Sequence, residues 1–219
     1  MDYLLLALLF GLVLAIWFLW RGASRRRSLP CPAWLSWMVD NPLSVRRTSV
    51  TLGHLELHPG QTVLDAGCGP ARLTVPIARA VGEQGSVLAV DLQAAMIRRA
   101  RAKAERASLR NIEFLQAGLG EGKLPVGRFD RAVLSTVLGE IPDRTAALRE
   151  IAASLKPGGF LLVNEVLGDP HYQSVAKVRA LAQEAALRPG ALYGGRWAFS
   201  LKLEKFPPEG GLGADGPGA

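Results

Sequence analysis

The sequence predicts an α/β fold: a doubly wound, mostly parallel sheet closed by a C-terminal antiparallel hairpin, with one transmembrane helix ahead of it. Three observations carry this. From Gln61 onward, short apolar runs rich in valine and leucine alternate with longer segments of helical periodicity, the pattern of parallel strands covered on both faces. The first of these runs breaks into Asp65-Ala66-Gly67-Cys68-Gly69-Pro70, where glycines let the backbone swing from a strand into a helix. Ahead of both lies an unbroken apolar stretch, residues 3–20, about the ~18 residues a helix needs to cross a bilayer.

Taken in order, residues 1–20 read as an uncleaved anchor. Tyr3, Trp17 and Trp20 fall near its ends, and Arg21, Arg25, Arg26 and Arg27 mark a cytoplasmic side. A cleaved signal peptide is the competing reading, but Met1-Asp2 is no basic leader and no small-x-small site precedes the arginines. The expectation is a single-pass cell-membrane protein with its domain in the cytoplasm. Residues 21–60 form a basic linker with N-terminal helices. Pro30 and Pro32 stop the first helix; Trp34, Leu35, Trp37 and Met38 then share one helical face that suits a membrane interface, a lid or simple packing. A further helix covers residues 43–57, and His58-Pro59-Gly60 turns into the first strand.

Residues 61–206 form the domain. Strands are expected over 61–65, 86–90, 112–115, 129–134 and 160–166, with helices over 71–81, 93–107, 144–155 and 174–187. Gly194-Gly195 joins a final hairpin of residues 191–193 and 197–205. The glycine- and proline-rich residues 207–219 have too little to bury and are expected to be disordered.

Charge and cysteine usage narrow the class. The net charge of +7 is concentrated just after the apolar start, which suits an anionic membrane surface better than nucleic acid. No aromatic-and-basic strand surface supports a nucleic-acid partner. The two cysteines are Cys31 and Cys68; a disulfide at Cys68 would distort the glycine turn, so both read as reduced. His54 and His58 lack partners at ligand spacing, so no metal site is expected.

Asp65, at the strand tip, is placed to bond a cationic amino group. Asp91 ends the second strand about twenty residues beyond the turn, where an acid accepts from ribose hydroxyls. A dinucleotide fingerprint fails, because Arg72 stands where its third glycine belongs, and this disfavours a nicotinamide oxidoreductase. Asp65-Ala66-Gly67-Cys68-Gly69 instead resembles the first motif of the class I S-adenosylmethionine-dependent methyltransferases. Phe129-Asp130-Arg131-Ala132-Val133-Leu134-Ser135 is similar to their fourth-strand motif, and Leu155-Lys156-Pro157-Gly158-Gly159 to the turn before their fifth strand. The likeness is nearest to the methyltransferase type 11 subgroup, which contains the ubiquinone and menaquinone C-methyltransferases.

The resemblance implies a Rossmann-like sheet of seven strands and an enzyme that uses S-adenosyl-L-methionine. It implies that Asp65 holds the methionine ammonium, that Ala66, Gly67, Cys68 and Gly69 run along the cofactor, and that Asp91 and Leu92 meet the ribose. Ala117 and Gly118 would serve adenine, and Ser135 is also expected to bind the cofactor. Many relatives carry Gly-Asp after strand three, whereas here the run is Gln116-Ala117-Gly118-Leu119-Gly120-Glu121. Backbone groups of Ala117 and Gly118, or Glu121, would have to replace that aspartate.

Methyl transfer itself needs positioning more than an obligatory side chain. If the acceptor needs a base, Glu140 leaves the end of strand four near the transfer point, although it could equally cap the next helix. His171, beyond strand five, could take the proton with Glu165 or Asp169 orienting it; alternatively Asp169-Pro170 starts the last helix and His171 is solvated. Tethering would favour a small hydrophobic, lipid-like or quinone acceptor. The alternative is a membrane-anchored module that binds the cofactor or a partner without transfer.

Overall fold

The computed structural model describes residues 2–27, 30–31 and 44–205. The tryptophan-bearing segment 34–38 and the tail 207–219 lie outside them. In chain order the elements are α1 (Asp2–Arg27), α2 (Ser44–Leu55), β1 (Thr62–Ala66), α3 (Thr74–Val81), β2 (Ser86–Asp91) and α4 (Ala94–Arg106). There follow β3 (Ile112–Gln116), β4 (Phe129–Ser135), a 3-10 turn (Leu138–Glu140), α5 (Arg144–Ser154), β5 (Leu155–Val166), α6 (Val175–Glu184), β6 (Leu187–Gly195) and β7 (Ala198–Lys205).

The seven strands form one sheet in the order β3-β2-β1-β4-β5-β7-β6, with β1 to β5 parallel and β7 antiparallel to both its neighbours. The centres of β1, β2 and β4 (Val63-Leu64, Val87-Leu88-Ala89-Val90 and Ala132-Val133-Leu134) are continuous in apolar residues because both faces of a parallel sheet are covered. Alternate side chains then go to opposite cores. Leu64, Leu88, Val90 and Leu134 meet Leu148 and Ile151 of α5 on one side; Val63, Val87 and Val133 meet Leu55 of α2 and Ile77 and Val81 of α3 on the other. Burying each of these leucines or valines contributes about 1.5–3 kcal/mol. At the opening edge of the sheet, Asp130 Oδ2 accepts from the Thr62 N–H at 2.8 Å and Lys156 Nζ lies 2.9 Å from the same carboxylate, tying the starts of β1, β4 and β5 together.

Several boundaries differ from expectation, each for a local reason. The helix expected from residue 71 starts at Thr74 because Ala71 takes a left-handed φ of 63° and holds the chain in a turn. Lys156-Pro157-Gly158-Gly159 is a bulged opening of β5, with the β4 register slipping between Phe129 and Arg131. The last helix starts after Ser174, whose side chain accepts from the Lys177 N–H, so Asp169-Pro170 belongs to the preceding loop. In the hairpin Gly195 pairs with Ala198, so Gly194 and Gly195 are strand residues and Arg196 and Trp197 form the tip. Gly194 is required there, since a Cβ would sit 2.4 Å from the Ala198 carbonyl oxygen.

The expected transmembrane segment is overturned: among the described residues, no helix is long and apolar enough to cross a membrane. The apolar run does form a helix, in which Leu4, Leu8, Leu12 and Phe18 are exposed. Bracketed by Asp2 and Arg21 within that helix, its apolar stretch sits at the short limit of the ~17–25 residues that spans use. The single-pass cell-membrane location, the membrane as a partner and the preference for a lipid-like acceptor all rested on that segment and fall with it. α1 contacts the 3-10 turn instead.

Candidate functional site

The strand order reverses between β1 and β4, and ligands of open α/β sheets bind where the carboxyl ends of such strands part. A cleft lies there. It is lined by Asp65, Gly67, Cys68 and Gly69 from the turn after β1, Asp91 and Gln93 after β2, and Ser135, Thr136, Val137 and Glu140 after β4, with Cys31, Arg72, Met96 and Asp169 among the remainder.

The glycine turn is held from beneath. The Gly67 and Cys68 N–H groups both donate to the Val90 carbonyl, at 2.8 and 2.9 Å. Asp91 then clamps two loops, Oδ2 accepting from the Gly69 N–H at 2.9 Å and Oδ1 from the Gln93 N–H at 2.8 Å. The glycines serve different ends. Gly67 has φ 75° and a Cβ there would meet the Val137 methyls at 2.5–2.6 Å, so the packing of the β4 loop demands it. Gly69, φ 52°, has no atom within 4 Å of its missing Cβ and leaves bare backbone on the cleft.

Asp65 is buried at the tip of β1 and accepts from the Thr74 hydroxyl at 2.6 Å. Burial pushes its carboxyl up to about 6, against the Thr74 bond and the Arg72 charge. Burial also raises Asp91, opposed by the bonds from Gln93 and Gly69. Buried carboxylates gain from a cationic ligand. Together with the bare backbone at Gly69, they fit the sulfonium and ammonium of S-adenosylmethionine. The cleft as it stands holds about 110 Å³, below the ~300 Å³ at which small-molecule sites begin. The main chain at Cys31 crosses it, its N–H donating to Glu140 Oε1 at 3.3 Å and its carbonyl accepting from Gln93 Nε2 at 2.8 Å.

The two proton-handling candidates, distant in sequence, are brought together. His171 is buried, and its Nδ1 lies 3.8 Å from both Glu140 Oε1 and Asp169 Oδ1. Asp169 Oδ1 also accepts from the His171 backbone N–H at 2.7 Å, whereas Glu165 accepts from the Gln173 N–H. Asp169, rather than Glu165, is thus the acid beside His171. The approach depends on Gly139, where a Cβ would fall 1.9 Å from the His171 carbonyl oxygen. Arg144 steadies the turn by donating to the carbonyls of Leu138 and Gly139, at 3.1 and 2.8 Å. Burial, then the charge of Asp169, pushes Glu140 up to about 8, with the Cys31 N–H opposing. Burial likewise lifts Glu165 to about 8. The Cys31 thiol is driven to about 11 by burial and by Glu140 and Asp169, so it is no thiolate nucleophile at neutral pH.

Of the other residues expected at the cofactor, Ser135 lines the cleft, while Ala66, Leu92, Ala117 and Gly118 do not. Ala66 is fully buried in the sheet and Leu92 is largely exposed. The Ala117 N–H is committed to the Asp91 carbonyl at 3.1 Å. Glu121 accepts from the Gly118 backbone and pairs with Lys123 at 2.6 Å. Sequence reasoning passed over Arg72, Gln93 and Met96 as site residues. Arg72 carried a signal, a bulky cation inside a glycine turn; Gln93 caps α4 and Met96 sits on its first turn, and both looked like ordinary helix positions.

Fold and cleft together define a doubly wound α/β domain with a ligand cleft at the reversal of strand order. Comparison with known proteins agrees: residues 63–159 match the family model described as a methyltransferase domain. The chain is 37% identical over 121 residues to the ubiquinone/menaquinone biosynthesis C-methyltransferase UbiE of Vibrio vulnificus, covering 55% of this chain and 46% of that protein. It is 32% identical over 115 residues to the demethylmenaquinone methyltransferase of Bacillus cereus, covering 52% and 48%. The chain thus spans about half the length of the curated relatives it matches. Among solved structures, an S-adenosylmethionine-dependent methyltransferase from Aquifex aeolicus superposes with a TM-score of 0.74 at 22% identity, covering 81% of this chain and all of that one, a likeness of fold. The enzyme class and the cofactor expected from the glycine turn, methyltransferase and S-adenosyl-L-methionine, are borne out by these matches.

Proposed function

We propose that the chain transfers a methyl group from S-adenosylmethionine to a small-molecule acceptor in the cleft between β1 and β4. The observation that carries this reading is the convergence of Asp65, Gly69 and Asp91 with Glu140 on one cleft. Asp65 would bind the methionine ammonium, the backbone at Gly69 would lie along the cofactor, and Asp91 would accept from the ribose while keeping the two loops clamped. The bound cofactor supplies an electrophilic methyl on a sulfonium. The protein's share is alignment and proton handling. Glu140 would take the acceptor's proton when ionised, and His171, 3.8 Å away, would share it. A quinone-type ring is the first acceptor to test, since the relatives act in ubiquinone and menaquinone biosynthesis.

The test is methyl transfer from tritiated S-adenosylmethionine to demethylated quinols and to unrelated phenols, alongside calorimetric titration of the cofactor. Binding with transfer to one acceptor class is the expected result. Absence of cofactor binding by folded protein would overturn the reading; binding without transfer to any extracted small molecule would leave a cofactor-binding module.

A further inference from the structure

We propose that Glu165 and Gln173, buried behind the cleft, are positioning residues that hold the loop carrying His171 against the turn carrying Glu140. The proposal rests on the reading of Glu140 and His171 as the proton-handling pair of methyl transfer.

The first argument is placement. Neither residue lines the cleft. Both are buried, Glu165 near the end of β5 and Gln173 immediately before Ser174, the cap of α6, with the His171 loop strung between them. Gln173 fastens that loop by its main chain and its side chain. Its backbone N–H donates to Glu165 Oε2 at 3.1 Å, and its Nε2 donates to the carbonyls of His171 and Tyr172, at 2.6 and 3.3 Å. The same amide abuts the opposing turn, where a Cβ on Gly139 would fall 2.8 Å from Gln173 Nε2 and 2.6 Å from His171 Cβ. Gly139 adjoins Glu140. One side chain therefore bears on the backbone that places His171 and on the backbone that places Glu140.

The second argument is that the corner is acceptor-rich and buried. Glu165 Oε1 and Gln173 Oε1 are both out of water with no hydrogen-bond partner among the described residues, an arrangement that stability alone does not favour. Burial, then the charges of Asp169 and Glu140, lifts the Glu165 carboxyl to about 8 against the Gln173 N–H and the Arg144 charge. At neutral pH it holds a proton, which would give these leftover acceptors the donor they lack. The state of Glu140 depends on the same loop. Its carboxyl is raised by burial and by Asp169, which lies two residues before His171. Loosening the loop admits water and moves Asp169 away, so Glu140 returns toward its ordinary value.

The experiment is a pair of double-mutant cycles on the full chain, Gln173→Met and Glu165→Leu each combined with Glu140→Gln, with melting temperatures taken at pH 4.5 and at about pH 8.5. With both positioning residues intact, Glu140→Gln should match the wild type at the lower pH and exceed it by about 10 °C at the higher. In either variant background that excess should shrink by about half or more. Glu165→Gln keeps an oxygen for the Gln173 N–H and should leave it nearly whole. Where transfer is measured, the kcat/KM midpoint near 8 should drop in Gln173→Met as well. If Gln173→Met does not fold, Gln173→Asn, shorter by a methylene, takes its place. A melting-point loss that is the same in both Glu140 backgrounds and at both pH values would mark a merely structural residue and overturn the proposal. So would a Glu165→Gln that behaves as Glu165→Leu does. If the cycles couple as expected but wild-type kcat/KM has no limb that Glu140→Gln removes, the proton-handling reading falls and takes the positioning role with it, while the packing stands.

Discussion

Replacing Glu140 with glutamine should remove a large part of the pH dependence of stability above pH 5. In the folded chain burial and the Asp169 charge raise this carboxyl from its ordinary 4.5 to about 8. The sign follows from proton uptake: below 4.5 both folded and unfolded chains hold the proton, and between 4.5 and about 8 only the folded chain does, so stability falls as pH rises through that window and levels off above it. At about 1.36 kcal/mol for each pH unit, the loss amounts to roughly 4–5 kcal/mol, an upper figure because the side chain keeps some solvent contact. Glutamine is nearly isosteric, cannot ionise, and retains an oxygen for the Cys31 N–H. At about 2–4 °C per kcal/mol for a chain of this size, Glu140→Gln should match the wild type in melting temperature near pH 4.5 and exceed it by about 10 °C at pH 8.5. Differential scanning calorimetry at four pH values reads this directly. A difference between the two proteins that stays constant with pH would refute the placement of Glu140 as a buried, proton-holding acid.

Four further outcomes follow from the same geometry. If Glu140 acts as the base, kcat/KM of the wild type should climb with pH to a midpoint near 8, its free-enzyme value, and Glu140→Gln should lack that limb. Gly139→Ala forces a methyl onto the His171 carbonyl and should lower stability by about 1–3 kcal/mol, with activity falling further than stability alone explains; unfolding curves and kcat on the same preparation separate the two. Asp91→Asn presents an amide donor to one of the two N–H groups it now accepts; a cost of about 1.5–3 kcal/mol should accompany at least tenfold weaker cofactor binding, and an unchanged melting point would show that the clamp is not structural. Gly67→Ala should destabilise by about 1–3 kcal/mol, and Val137→Ala in that background should return part of the loss, as a double-mutant cycle would measure.

What could be read from sequence was local. Val63-Leu64 and Val87-Leu88-Ala89-Val90 spell buried parallel strands because every side chain there must be apolar, and the glycine turn names its own geometry. The candidate acids sit where strand ends were expected. What escaped depended on parts of the chain remote from each other. The pairing of Glu140 with His171 relies on a backbone contact at Gly139 that no spacing encodes. Cys31 meets Gln93 and Glu140 across separations of 62 and 109 residues. The hairpin tip moved to Arg196 and Trp197 because the register with β5 and β7 prevailed over a local glycine signal. The apolar start was judged on its length and on the aromatic and basic residues at its ends, and that length left no margin.

Along the strand direction the carboxylates divide into two populations. Where the strands begin, Glu113 is drawn below the usual range by bonds from Arg128, and Asp130 likewise, its burial outweighed by the Thr62 N–H and Lys156. Where the strands finish, Asp65, Asp91 and Glu165 are all pushed the other way, chiefly by loss of water. The sheet therefore has a tolerant rim and a strained one. Neutralising an acid at the first weakens the molecule, whereas neutralising one at the second removes a charge held against loss of water, a gain that at Asp91 is outweighed by the two loop bonds it accepts. Bound cation at the strained rim should act as a folding ligand, making this a protein whose sturdiness above neutral pH depends on what it carries.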